Sequence, residues 1–191
     1  MSTFSSPNRV VWDYFHSLRL IVQAAKTAPG PDIARQQSAL ALIMSVTVVE
    51  VFFNIWFRIR VEESANLAHR ESLLKDLSSR KTIESKLNNW PNRYLGKTLD
   101  LTTGAGAAFA EIKRKRNAIV HFTSSHETQI FDSFAIHGLA DTSEYDSLTA
   151  EDASSALQAA QALISKILEL AGLTPSQVSS AMHAWTGQIP T

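Results

Sequence analysis

The chain contains no cysteine, which excludes disulfides, thiolate nucleophiles and thiolate metal ligands and fits a reducing, cytoplasmic setting. It has no excess of charge either: 18 Lys and Arg balance 18 Asp and Glu, so any pull on a polyanion must come from a local cluster. Glycine-rich phosphate loops, nucleophile elbows and paired-carboxylate motifs are missing. His16, His69, His126, His137 and His183 are scattered without metal-ligand spacing, so neither a metal nor a cofactor is expected. Strand-type alternation is scarce, with at most a short strand pair between Thr123 and Asp146. The opening Met1–Pro7 lacks the basic-then-apolar order of a signal peptide, so no export address is expected.

What is present is helix. With 45% hydrophobic and 19% charged residues over 191 positions, the chain can bury one sizeable core. Val11, Phe15, Leu18 and Val22 recur at helical spacing between Asn8 and Lys26. Pro29-Gly30-Pro31 stops that helix, and Asp32 is the expected N-cap of a second one running past Arg60. Thr82–Leu87 reads as a short helix ended by Asn88-Asn89-Trp90-Pro91-Asn92. The stretch 123–146, with Ile130, Phe131, Phe134 and Ile136, reads as a packed loop. Thr149 and Asp152 form a capping arrangement before a long helix that Gly172 ends, and Pro175 opens a last short one. Trp12, Trp56, Trp90 and Trp185 read as packing residues. The predicted fold is all-α, an antiparallel bundle of four long helices with smaller additions. Its divisions are residues 1–31, an N-terminal helix and break; 32–172, the bundle; and 173–191, a short helix and tail.

Ala39–Phe57 is apolar enough to raise the question of a membrane span. Glu50 and Asn54 lie within it, and a carboxylate near a helix centre costs roughly 2.5–3.5 kcal/mol on insertion scales. Thr47, Glu50, Asn54 and Arg58 form one polar seam on an oily helix, the pattern of a bundle's central helix with one internal polar contact. No membrane association is expected.

The most informative stretch is Lys113-Arg114-Lys115-Arg116-Asn117-Ala118-Ile119-Val120-His121, at the end of a predicted helix over 107–122. A guanidinium holds phosphate through several donors and stays charged, and an imidazole takes and gives protons near neutrality. On a helical wheel Arg114, Asn117 and His121 share one side, with Phe109, Ile112, Ile119 and Val120 opposite. Asn117 is placed to orient His121. Arg116 falls about 140° from His121, at the margin of the apolar side, where a solvated charge does not belong. An Arg116–Glu50 ion pair, or a relay through Asn54, is therefore expected. Removing Arg116 would then leave Glu50 unpaired at a cost of roughly 3–5 kcal/mol.

Arg116-Asn117-Ala118-Ile119-Val120-His121 resembles the signature of HEPN domains: arginine, a polar residue, a few apolar residues, then histidine. Val49-Glu50-Val51-Phe52-Phe53-Asn54 is similar to the family's second-helix pattern, and Tyr145–Ala153 leading into a long helix also resembles it, so the likeness spans about residues 32–171. The resemblance implies a HEPN-type four-helix bundle that forms a homodimer, with the signature helices facing across a cleft. It implies a metal-independent endoribonuclease of the kind found in toxin–antitoxin, abortive-infection and other defence systems, with RNA as substrate and a possible antitoxin or defence partner. Carried over, Arg116 and His121 are the catalytic pair with Asn117 beside them. Glu50 and Asn54 are supporting residues, and Lys113, Arg114 and Lys115 draw in the RNA backbone. One departure is Thr123, where members silenced by modification carry a tyrosine. The rival expectation is a catalytically inactive HEPN-like helical module that binds RNA, a nucleotide or a protein partner.

Overall fold

Proline starts three of the long-range elements of this chain, because at the first turn of a helix its missing N–H leaves no bond unmade and its φ is already helical. A computed structural model describes residues 6–64, 66–121, 127–139 and 141–188. Helix α1 spans Pro7–Lys26 and α2 spans Pro31–Glu63. The expected N-cap at Asp32 is corrected: Gly30 caps α2, and Pro31 at the first turn draws the start of the helix ahead of Asp32. Asp32 sits inside that first turn, where it complements the helix dipole and pairs with Arg35 at 3.1 Å.

Helix α3 covers Leu67–Ser78, with Asn66 accepting the first-turn N–H of His69. Helix α4 runs Ile83–Leu95, straight through the Asn-Asn-Trp-Pro-Asn stretch expected to end it. An internal proline costs about 3 kcal/mol in a helix. Here the tertiary packing of the residue before it offsets that cost. Trp90 is buried against Phe53 and Phe57, and its indole N–H donates to Asp76 at 3.0 Å. Gly96, at φ 67°, ends the helix instead.

Helix α5 is Gly104–His121, α6 is Ser143–Asp146, α7 is Ala150–Leu170 and α8 is Pro175–Thr186. Between α5 and α6 lies an antiparallel hairpin, β1 Glu127–Ile130 and β2 Ala135–Leu139, with Ile130 opposite Ala135. Among the described residues the fold is all-α apart from this pair of short strands. The expectation of a packed segment here is corrected. Ile130, Phe131, Phe134 and Ile136 are all exposed, Ile130 at 82%, because a two-residue repeat turns side chains to both faces of a ribbon that no helix covers.

The core lies between α1, α2, α5 and α7. Val11, Phe15, Leu18, Val22 and Ala25 of α1 meet α2 and α7, so the segment 1–31 contributes to the same core as the rest. Phe52, Phe53, Trp56 and Phe57 of α2 form a continuous aromatic seam. Ala153, Ala156, Ala159 and Ala160 keep the facing side of α7 thin, allowing it to approach α2 closely. Among the described residues α2 is the one helix long and apolar enough to cross a membrane, and 56% of its most apolar window is buried inside the protein. Trp56 and Trp90 are core residues, whereas Trp12 is 39% exposed and stacks on His16.

The start of α5 is set by a backbone-to-backbone approach. The Asp100 carboxylate accepts from the Thr102 N–H and from both the Thr102 and Thr103 hydroxyls, which hold its pKa down at about 2. That turn brings the Asp100 carbonyl against Gly106, where a Cβ would stand only 1.8 Å from the oxygen. Replacing a helical glycine with alanine normally stabilises by up to about 1 kcal/mol. Gly106→Ala is expected to do the reverse, losing about 2–3 kcal/mol in urea denaturation as α5 is pushed off its turn.

Candidate functional site

Four basic residues in a row on α5 have two different fates. Lys113 pairs with Glu84 of α4 at 3.0 Å. Arg114 grips Glu111 through Nε and Nη2 at 2.8 Å each, and reaches Glu144 of α6 with Nη1 and Nη2 at 3.3 and 3.2 Å. Lys115 donates to Asp152 of α7 at 2.7 Å. These are charge-assisted contacts, and the two Arg114 forks are bidentate. They raise the pKa of Arg114, first through Glu111 and then Glu144, and raise that of Lys115 through Asp152. The hydrogen bond from Arg114 holds the Glu111 carboxyl below its ordinary value. Burial pushes the Asp152 carboxyl up, but hydrogen bonds from Lys115 and Thr149 outweigh it and leave the pKa lowered.

Lys113, Arg114 and Lys115, expected to draw in an RNA backbone, are each engaged by carboxylates of the protein itself. Four carboxylates surround three cations, so no positive excess is left there. The residues act as braces that tie α5 to α4, α6 and α7. Only Glu111 was close enough in sequence to signal this; Glu84, Glu144 and Asp152 come from other helices.

Arg116 is different. It is half-buried and has no carboxylate partner among the described residues. Its Nη1 donates to the Asn117 side-chain oxygen at 3.0 Å, and its Nε is buried with no hydrogen-bond partner. The expected Arg116–Glu50 ion pair is corrected. Glu50 instead accepts from Lys86 of α4 at 2.5 Å, a lysine only 3% exposed whose ammonium lies 5.5 Å from the Trp90 ring. The reason is the continuation of α4 past Leu87: by packing on α2 it delivers Lys86 to Glu50. The relay through Asn54 is not formed either, since the Asn54 side-chain oxygen is buried without a partner. An acceptor on α2 and a donor on α5 are thus both buried and unmet.

His121 is the last residue of α5 and is exposed. Asn117, expected to orient it, gives its oxygen to Arg116. On a regular helix, five residues separate the Arg116 and His121 side chains by about 140° around the axis and about 7.5 Å along it. One chain thus offers a guanidinium with an amide, and an imidazole on another side of the same helix. Phe122 and Thr123 lie outside the described residues. No group of three or more His, Asp or Glu side chains able to hold a metal ion occurs among the described residues. A separate cleft of about 560 Å³ between α7 and α8, lined by Gln158, Gln161, Ser165 and Met182 among others, includes none of these residues.

Asp152 closes the capping box of α7 and holds Lys115 at the same time. Because its folded pKa lies below the ordinary carboxylate value, the stability it contributes is present above about pH 4 and is lost as pH falls through the lowered pKa. Asp152→Asn is expected to cost about 1–2 kcal/mol at pH 7. Its thermal stability should fall less than that of the parent between about pH 5 and pH 3, a comparison that melting curves across that range would make.

A scan against protein-family models found no match to this chain, and neither the curated proteins nor the solved structures contain one that matches it.

Proposed function

We propose that the chain is a metal-independent endoribonuclease of HEPN type that acts as a homodimer in the cytoplasm. The observation that carries this reading is Arg116: among the described residues it alone of four consecutive cations has no carboxylate, five residues from an exposed histidine. An unmet buried donor costs about 1–3 kcal/mol, and in a native protein such a cost calls for a compensating use. A bound phosphate would supply the missing acceptors. The all-α core, with α1, α2, α5 and α7 at its centre, supports the reading at the level of fold class, while the HEPN-type arrangement and the defence role, in a toxin–antitoxin or abortive-infection system, rest on the resemblance alone.

In this reading His121 removes the proton of a ribose 2′-hydroxyl as its oxygen forms a bond to the adjacent phosphorus. The bond from phosphorus to the 5′-oxygen breaks, and the leaving oxygen takes a proton from the second copy's imidazole. The products are a 2′,3′-cyclic phosphate and a 5′-hydroxyl. Arg116, steadied by Asn117, faces the charge that builds on the phosphoryl oxygens, a preorganised contribution of the kind that often dominates catalysis. A second copy removes the geometric difficulty of the 140° separation, because each chain need supply only part of the constellation.

The ion-pairing of Lys113, Arg114 and Lys115 favours a second reading, a helical interaction module in which α5 is purely structural. RNA cleavage in EDTA separates the two. His121→Ala should lower the rate about 10²–10⁴-fold, and Arg116→Ala should lower it comparably while melting at or slightly above the parent temperature, since it deletes an unmet donor. Unaltered cleavage in the histidine variant, or no cleavage by the parent, leaves the module. A further consequence is electrostatic. With three of four cations already neutralised, the slope of log affinity for single-stranded RNA against log salt should be roughly −1 to −2 for the dimer, against about −5 or steeper if all four bound phosphate. Filter binding at several salt concentrations measures it.

A further inference from the structure

Helix α8 is fixed at both of its ends. Thr174 and Gln177 close a capping box at its start, and at its finish the Asn8 amide donates to the Ala184 carbonyl at 2.8 Å and Arg19 to the Thr186 carbonyl. The cleft it forms with α7 is therefore held open by contacts outside the cleft itself. One wall is a stripe along α7, Gln158, Gln161, Ser165 and Glu169, which spacings of three and four residues keep on one face. Val178 and Met182 of α8, an i, i+4 pair, form the other with Leu173 of the connecting turn. The volume of about 560 Å³ lies within the roughly 300–1,000 Å³ of small-molecule sites, which combine apolar walls with a few polar groups.

The chemistry of the lining narrows the ligand. Val178 and Met182 are buried and give an apolar floor, and a thioether suits the edge of an aromatic ring. Gln158, Gln161 and Ser165 supply uncharged donors and acceptors. Among the described residues none of these three uses its side chain in a hydrogen bond to the protein, whereas Ser154, one turn before them, donates to the Ala150 carbonyl at 3.1 Å. No lysine, arginine or histidine is among the lining residues described, and the one carboxylate, Glu169, is paired with Lys166 at 3.1 Å. A phosphate finds no counter-charge in such a site, and a cation finds its carboxylate already engaged. What fits is an uncharged flat heterocycle with a hydrogen-bonding edge. A glutamine amide sets a donor beside an acceptor, the complement of N7 and the N6 amino group of adenine. We propose that the α7–α8 cleft binds an adenine base, held by its edge and its ring with any phosphate left in solvent. The base can come from free adenosine or from an unpaired position in an RNA strand. Neither Arg116 nor His121 lines the cleft, so the assignment stands apart from the nuclease reading.

Isothermal titration calorimetry of the full-length chain with adenosine, adenosine monophosphate and uridine tests this, with circular dichroism confirming the fold of each variant. Adenosine should bind saturably with a dissociation constant below about 1 mM, the monophosphate no more tightly, and uridine about tenfold more weakly or worse. Gln161→Leu should weaken adenosine about 10–100-fold. Ala162→Phe, which fills the cleft from an exposed position on its lining, should abolish binding. His121→Ala should leave the affinity for adenosine intact whatever it does to cleavage, so loss of activity and loss of this site are read apart. In that uncleaving background a short oligoadenylate that displaces adenosine assigns the base to an RNA strand, and one that does not assigns it to the free nucleoside. No saturable binding at about 1 mM adenosine, tighter binding of the monophosphate, equal binding of uridine, or a parent-like affinity in either cleft variant overturns the proposal.

Discussion

Helix α5 is held in its rotation by two independent sets of contacts, and the properties of the candidate site follow from that. Phe109, Ile112 and Ile119 enter the core on one side. On the others, Lys113 reaches α4, Arg114 reaches α6 and Lys115 reaches α7. The ion pairs contribute little to stability one by one, since pairs with exposed partners are worth about 0–1 kcal/mol. Their role is directional. With three neighbours fixing three consecutive residues, the fourth has no freedom to turn outward, and Arg116 stays half-buried with its Nε unmet.

The polar seam on α2 shows the same division between partnered and unpartnered groups. Glu50 meets Lys86, which also lies over Trp90, so a buried ammonium gains both a carboxylate and an aromatic face. One turn along, Asn54 has no such arrangement. Had Arg116 taken Glu50, Lys86 would be a buried charge without its counter-ion, which costs several kcal/mol. The Lys86–Glu50 contact is what releases Arg116 from a structural task.

Much of the helical architecture was legible in residue spacing. The apolar periods of α1 and α7, the proline at 31, the Thr149–Asp152 box and the glycine at 172 each carry a local physical cause, and local causes survive into the fold. The failures share one origin. Pro91 argues locally for a helix end, but the burial of Trp90 overrides it, and that burial depends on Phe53 and Phe57, far earlier in α2. Helix α4 then delivers Lys86 to Glu50, the carboxylate that was assigned to Arg116. In the hairpin, apolar composition suggested packing, yet burial depends on what lies above a face, which spacing does not encode. For the site, residue types and their order were readable, whereas the neutralising carboxylates at 84, 144 and 152 belong to separate helices and have no signature next to the cations they meet.

Arg116 and His121 on one α5 point about 140° apart, so a single chain does not converge both on one phosphodiester, and a composite site asks for two α5 C-termini brought near each other. The braces on α5 fix which way each guanidinium faces. Two copies whose α5 ends diverged would be stable and inert, so the interaction module and the nuclease would differ in geometry rather than in sequence.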